Sequence, residues 1–339
     1  VVPRRTALDP VEDPGTVPDP VEDVPDPVEE RRILLDRPID LRRTLAPLRH
    51  GLRDPCLRID GSDVWRATRN TDGPATLHLR LDARSRSLRA RAWGAGASRA
   101  LAGVDDLIGL HDDDQPLVAM LDAAPTSSSD IIRGLARRLP GVRIPRSGAV
   151  TEALVPAILE QKVTGLEAKR SYRELVAAHG TPAPGPAAGR LQLRVPPAPE
   201  VLAALPGWAW HRFGVERKRA DTIRLACSYS HRLEEVATET LTDARRRLRS
   251  LPGVGPWTAA EVALAALGDP DAVSIGDYHL PHQVAWALAG RPRADDQVML
   301  ELLEPYRGQR ARVIRLIAGA GIQAPRWGPR LEVHSARHR

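Results

Sequence analysis

At 339 residues, 42% of them hydrophobic, and with a formal charge of +6, the chain has material for two domains or one large one, each with a sizeable core. Its two cysteines, Cys56 and Cys227, argue against a disulfide framework and cannot supply the four thiolates of an iron–sulfur cluster. No apolar run reaches membrane-spanning length, and no apolar signal core follows Val1-Val-Pro-Arg-Arg5, so a cytoplasmic, nucleoid-associated protein is expected.

The charge is unevenly placed. Residues 1–30 hold nine acids against Arg4 and Arg5, a net −7, which leaves +13 on the rest. This tail repeats Asp9-Pro-Val-Glu-Asp13, Asp19-Pro-Val-Glu-Asp23 and Asp26-Pro-Val-Glu-Glu30. Proline and acid at such density bury too little apolar surface to offset ordering, so disorder is expected. A solubilising leader is favoured over a mimic of DNA that shields a basic cleft. The basic body attracts polyanions. Only Lys162, Lys169 and Lys218 are lysines, and much of the arginine is expected to be solvated surface.

Residues 31–135 read as an antiparallel α+β domain. A short helix is expected over 41–48, then strands over 64–68, 75–81 and 88–93, where apolar residues alternate with polar ones. Asn70 and Asp72-Gly73 mark the first turn, and the period of two predicts a sheet wet on one face. Residues 136–321 read as an all-α core. In 151–162, Leu154, Val155, Ile158 and Leu159 share a face, and Thr164-Gly-Leu-Glu167 is a capping box opening a helix to about 179. A Pro/Gly-rich loop spans 181–198. Helices follow over 199–204, 215–228, 242–250, 257–267, 280–289 and 295–317, before a basic tail at 322–339.

Leu251-Pro-Gly-Val-Gly-Pro-Trp-Thr-Ala259 carries the functional signal. Gly253 and Gly255 flank Val254 in a hairpin that turns backbone N–H groups outward, towards a phosphate. Pro256 suits the first turn of the next helix, whose N-terminal dipole, beside Thr258, adds to that pull. Twenty residues beyond Trp257 stands Asp277, next to Tyr278.

Hairpin, spaced aspartate and the segment Ala157-Ile-Leu-Glu-Gln-Lys-Val-Thr164 together resemble the helix-hairpin-helix DNA glycosylases with a Gly/Pro-rich loop and a catalytic aspartate, most of all the 3-methyladenine DNA glycosylase II branch. The resemblance covers roughly residues 33–319 and is sharpest over 152–179 and 251–288. It implies an antiparallel sheet domain before a helical core, double-stranded DNA with alkylated bases as partner, a monomer, and Asp277 as the catalytic carboxylate. In related enzymes that also cut the strand, the position of Trp257 holds a lysine; tryptophan there implies a monofunctional hydrolase. Trp257, Tyr278 and Trp210 are the expected pocket walls, suited to cationic alkylated purines. Gln161 and Lys162 fall where the family places its wedge, although lysine departs from the usual apolar residue. Arg245, Arg246, Arg247 and Arg249 precede the hairpin, and four arginines on one helix cannot all face DNA. No cofactor is expected beyond a monovalent cation that relatives often bind at this hairpin. His279 and His282 have a metal-compatible spacing without a third ligand, so no metal site is expected. Two rivals stand beside this reading: a glycosylase for another damaged base, such as a deaminated purine, and a non-catalytic structure-specific DNA binder.

Overall fold

A computed structural model describes residues 29–189 and 191–325. Most of the expected acidic tail and of the basic C-terminal tail lies outside the described residues. The fold is α+β: an antiparallel sheet, then helices to the end.

The sheet has five strands: β1 (Glu29–Leu34), β2 (Leu57–Asp60), β3 (Asp63–Asn70), β4 (Gly73–Asp82) and β5 (Ser87–Trp93), in the order β1-β5-β4-β3-β2. Alternation at 64–68, 75–81 and 88–93 gave the three central strands. β1 and β2 add the edges, and β1 recruits Glu29 and Glu30 from the supposed tail, pairing Ile33 with Leu88. The register sets Val64 opposite Leu79 and Leu79 opposite Ala90, so one face buries Val64, Leu77, Leu79, Leu88 and Ala90 against the helix Ala97–Ala102 and its neighbours.

The opposite face is not wet throughout. Trp65 stacks on His78, ring centroids 4.0 Å apart, and on Trp93 at 5.6 Å. The Pro/Gly-rich loop folds back over them because Thr181–Pro182 pairs with Arg194–Val195, placing Ala183, Ala187, Leu193 and Val195 on the sheet. A loop that covers a sheet face leaves the period of two intact, which is why periodicity misses it.

Two other expectations change. The helices Gln115–Ala123 and Ser127–Arg138, placed on the sheet side of a boundary at 135, bury Leu117, Leu121, Ile132 and Leu135 with Val284, Leu288, Met299 and Val313 of the C-terminal helices. The expected helix over 295–317 is two, Asp296–Leu303 and Arg310–Gly319. Pro305 sits in the break and Gly308 at φ +91 turns the chain, held by Asp271, which accepts from Gly308 N at 2.8 Å and Arg310 N at 3.1 Å.

Polar contacts lock sheet to helices. Glu152, at the start of the helix Val150–Leu159, accepts from Arg66 Nη2 at 2.9 Å, Thr68 Oγ1 at 2.9 Å and Arg69 N at 2.6 Å. The Arg312 guanidinium grips Asp112 with two bonds of 2.6 and 2.7 Å, the planar fork matching the carboxylate.

Candidate nucleic-acid interface and active site

The helix Leu241–Arg249 runs into the hairpin, and the chain re-emerges as the helix Pro256–Val262 with a single π turn, Ala263–Leu267, behind it. Gly253 has φ +86, and a Cβ there would lie 2.3 Å from Thr222 Oγ1; only glycine fits. Gly255 differs: its backbone is extended (φ −89, ψ −177), with open space where a Cβ would stand. The turn therefore demands one glycine, and the second keeps the helix start uncrowded. Val254 N donates to Leu251 O at 3.0 Å and the Val254 side chain is buried in the core, so only its backbone is available to a ligand. The N–H groups at the start of Pro256–Val262 have no partner one turn earlier and carry partial positive charge.

Gln161 ties this hairpin to the neighbouring helix. Its Nε2 donates to Gly253 O at 2.9 Å and to Thr258 Oγ1 at 2.8 Å. Thr258 is buried, so its hydroxyl braces the hairpin from within. The preceding helix ends at Leu159, three residues short of expectation, and Lys162 is exposed with φ +55, at the tip of the connection. Of the four arginines before the hairpin, Arg245 pairs with Asp269, Arg246 with Asp243, and Arg247 with Glu235 and Glu239. Arg249 is exposed and makes no ion pair among the described residues.

Asp277 sits on the loop before the helix Leu280–Ala289, half-buried. Gly276, φ +92, turns the chain into it and donates its N–H to Asp296 Oδ2 at 3.0 Å. Oδ1 of Asp277 accepts from His279 N at 2.7 Å and Leu280 N at 2.8 Å; Oδ2 accepts from Trp257 Nε1 at 3.2 Å. The carboxylate caps a helix and also faces the hairpin. Trp257 packs on the central helical core and Leu280 on the C-terminal one, so their contact through Asp277 spans the seam between the two. Tyr278 is 73% exposed, edge-on to His279 and His282. His282 Nδ1 accepts from Ala294 N at 3.1 Å, a structural use of that ring.

Trp210 does not belong with them. It is fully buried in the central core. Its neighbour two residues earlier, Trp208, is 77% exposed; the 3₁₀ segment Gly207–Phe213 turns the two indoles to different sides.

Glu160 and Glu261 were missed. Glu261 lies one turn after Trp257, and Glu160 ends the helix packed against it. Both are half-buried and line one cavity of about 50 Å³ with Ala153, Ala157 and Ala265. The Ser274 hydroxyl donates to Glu261 Oε1. Burial pushes the Glu261 carboxyl up to about 7, against that hydrogen bond and with the added repulsion of Glu160 and Asp277. Burial raises Glu160 too, against the pull of Lys169. Glu160 stands within the segment Ala157–Thr164, beside the expected wedge, and the signal for Glu261 is its i, i+4 spacing from Trp257.

No family model matches the chain. Over 178 residues, 51% of the chain, it is 34% identical to a probable bifunctional transcriptional activator/DNA repair enzyme AlkA of Mycobacterium tuberculosis. That match takes in 34% of the relative, so the chain spans about a third of the protein it matches. Among solved structures, the 3-methyladenine DNA glycosylase of Archaeoglobus fulgidus superposes with a TM-score of 0.69 at 17% identity, over 85% of this chain and 97% of that one. The chain has the DNA glycosylase fold, and half of it is similar in sequence to AlkA. The 8-oxoguanine glycosylase/lyase of Clostridium acetobutylicum, in complex with double-stranded DNA, shares that fold at a TM-score of 0.59 and 12% identity, over 84% and 92% of the two chains. Among the described residues no helix is long and apolar enough to cross a membrane.

Proposed function

We propose that the chain is a monofunctional glycosylase of base excision repair, which hydrolyses the N-glycosidic bond of alkylated purines in duplex DNA and leaves an abasic site. The observation that carries this reading is the Asp277–Trp257 contact beside an open hairpin. A base stacked in a duplex must be rotated out before its bond to the sugar is reached. The N–H groups after Gly255, with Arg249 and Lys162, grip the backbone on either side of the flipped nucleotide. Asp277 then lies by C1′, where its charge stabilises the oxocarbenium-like state and orients the attacking water. The bonds it accepts from Trp257, His279 and Leu280 hold it fixed.

Trp257 and Tyr278 supply aromatic surface, which favours a cationic ring by roughly 0.5–2 kcal/mol. A base alkylated at N3 or N7 carries that charge and leaves without further protonation. The substrate named for the Archaeoglobus structure, 3-methyladenine, is of this kind. By the resemblance, Trp257 stands after the hairpin where strand-cutting relatives carry a lysine, which supports hydrolysis without strand cutting; a lyase would have to use Lys162, Lys169 or Lys218 instead.

The test is a duplex oligonucleotide carrying 7-methylguanine, incubated with the protein and analysed with and without hot alkali, with borohydride in a parallel reaction. The reading predicts strand breaks only after alkali and no covalent adduct. A borohydride-trapped complex would overturn the monofunctional assignment, and binding without any abasic product would make the chain a DNA binder.

A further inference from the structure

Two further carboxyl groups, Glu160 and Glu261, stand within electrostatic reach of Asp277, more than the hydrolysis of a cationic base uses. Trp257 and Glu261 are four residues apart on one helix, a rise of ~6 Å. Ser274, which bonds to Glu261, stands three residues before Asp277, and its carbonyl accepts from Asp277 N at 3.2 Å. Glu261 is thus one helical turn along from the Asp277–Trp257 contact and tied to the Asp277 loop through Ser274. Three alanines, Ala153, Ala157 and Ala265, keep the space behind it open, and the cavity of about 50 Å³ accepts one or two waters, at ~30 Å³ each.

Resting on the glycosylase reading, we propose that Glu261 is a general acid that protonates the departing base, which extends the enzyme's substrates from cationic alkylated purines to neutral damaged purines. The proton on Glu261 Oε2 passes to a ring nitrogen of the base as the C1′–N bond breaks and its electron pair moves to the base. Water adds at C1′ beside Asp277 and releases a proton, and Glu261 is reprotonated through the water-sized cavity.

The surroundings suit this role. Ser274 occupies Oε1 and leaves the other oxygen free to carry the proton. The groups facing Glu261 are Glu160 from the packed helix and Asp277 from the loop, both of which disfavour its ionisation. Across the cavity, Glu152 is matched by Arg66, while His50 lies near Asp54 and Lys169. With its carboxyl held up at about 7, Glu261 keeps its proton near neutrality and can still give it up. Lys169 offsets part of the burial penalty on Glu160, and the charge of Glu160 helps to hold the proton on Glu261.

Single-turnover excision of hypoxanthine, a neutral base, and of 7-methylguanine, a cationic one, from otherwise identical duplexes tests this. Glu261→Gln should lower hypoxanthine excision roughly 10²-fold or more beyond any loss on 7-methylguanine. In the unsubstituted protein, hypoxanthine excision should fall as pH rises through about 7, while 7-methylguanine excision does not share that limb. Equal losses on both bases, or a wild-type protein that removes 7-methylguanine and leaves hypoxanthine in place, would overturn the proposal while leaving the alkylpurine reading intact. Failure to release either base would sink both. The pH profile needs no variant, so it decides the matter even where Glu261→Gln misfolds.

Discussion

Glu152 and Asp277 are both carboxylates at a junction between two parts of the fold, and their surroundings assign them opposite duties. Glu152 joins the sheet to the helix Val150–Leu159 and meets a guanidinium, a hydroxyl and a backbone N–H, so both oxygens are spoken for. Asp277 joins the hairpin half of the helical core to its C-terminal half. Its contacts are a Trp257 indole and two N–H groups, with no cation paired to it among the described residues. A matched charge fastens a structure. A charge fixed in place without a counterion is available to a positive centre that arrives with substrate.

That contrast makes Glu152→Ala chiefly a lesion of stability. It strands Arg66 in a poorly solvated place and should cost about 3 kcal/mol, read as a lower urea midpoint, whereas excision per folded molecule stays near normal. Loss of excision without loss of stability would erase the distinction between the two carboxylates. Gly253→Ala comes next. Its φ of +86 and the clash with Thr222 should cost about 1–3 kcal/mol, and the displaced N–H groups should weaken duplex binding at low salt. Gly255→Ala, with an extended backbone and free space, should be far milder on both counts. A reversal of that order would mean that the hairpin is not held as described.

Glu261→Gln sharpens the comparison from a third side. A carboxyl raised to about 7 stabilises the fold while it is protonated, below its unfolded value near 4.5, and that contribution is lost as pH rises through 7. Glutamine keeps the shape without the charge. The variant should gain about 1–2 kcal/mol relative to wild type above pH 7 and little below pH 5, measured by denaturation across pH. A constant difference at every pH would place Glu261 in water.

What could be read from the sequence follows the range of the forces involved. The capping box at Thr164 and Glu167, the helix Leu280–Ala289 and the hairpin are local, set by residues within a turn of one another, and all three appear as expected. The spacing from Trp257 to Asp277 was also legible, because a fixed helix and loop carry it. Contacts made over long separations were not. β1 hides behind an acidic run and forms only because β5 offers Leu88 to Ile33. Trp210 and Trp208 are alike in sequence, and only the packing of Leu202, Phe213 and Ile223 decides which is swallowed. Glu160 and Glu261 meet because two helices pack, an event that no spacing within either helix records. The break at Pro305 was readable and was passed over in favour of the apolar periodicity on either side.

The most direct test of the central claim is single-turnover release of 7-methylguanine from duplex DNA by the wild-type protein and by Asp277→Asn, developed with alkali, alongside binding to a duplex carrying an abasic analogue. Asparagine keeps a hydrogen-bonding cap on the helix Leu280–Ala289 and removes the charge. The account predicts that excision falls roughly 10²–10³-fold while the analogue is still bound. Excision at a near wild-type rate would contradict it, and would remove Asp277 from the chemistry.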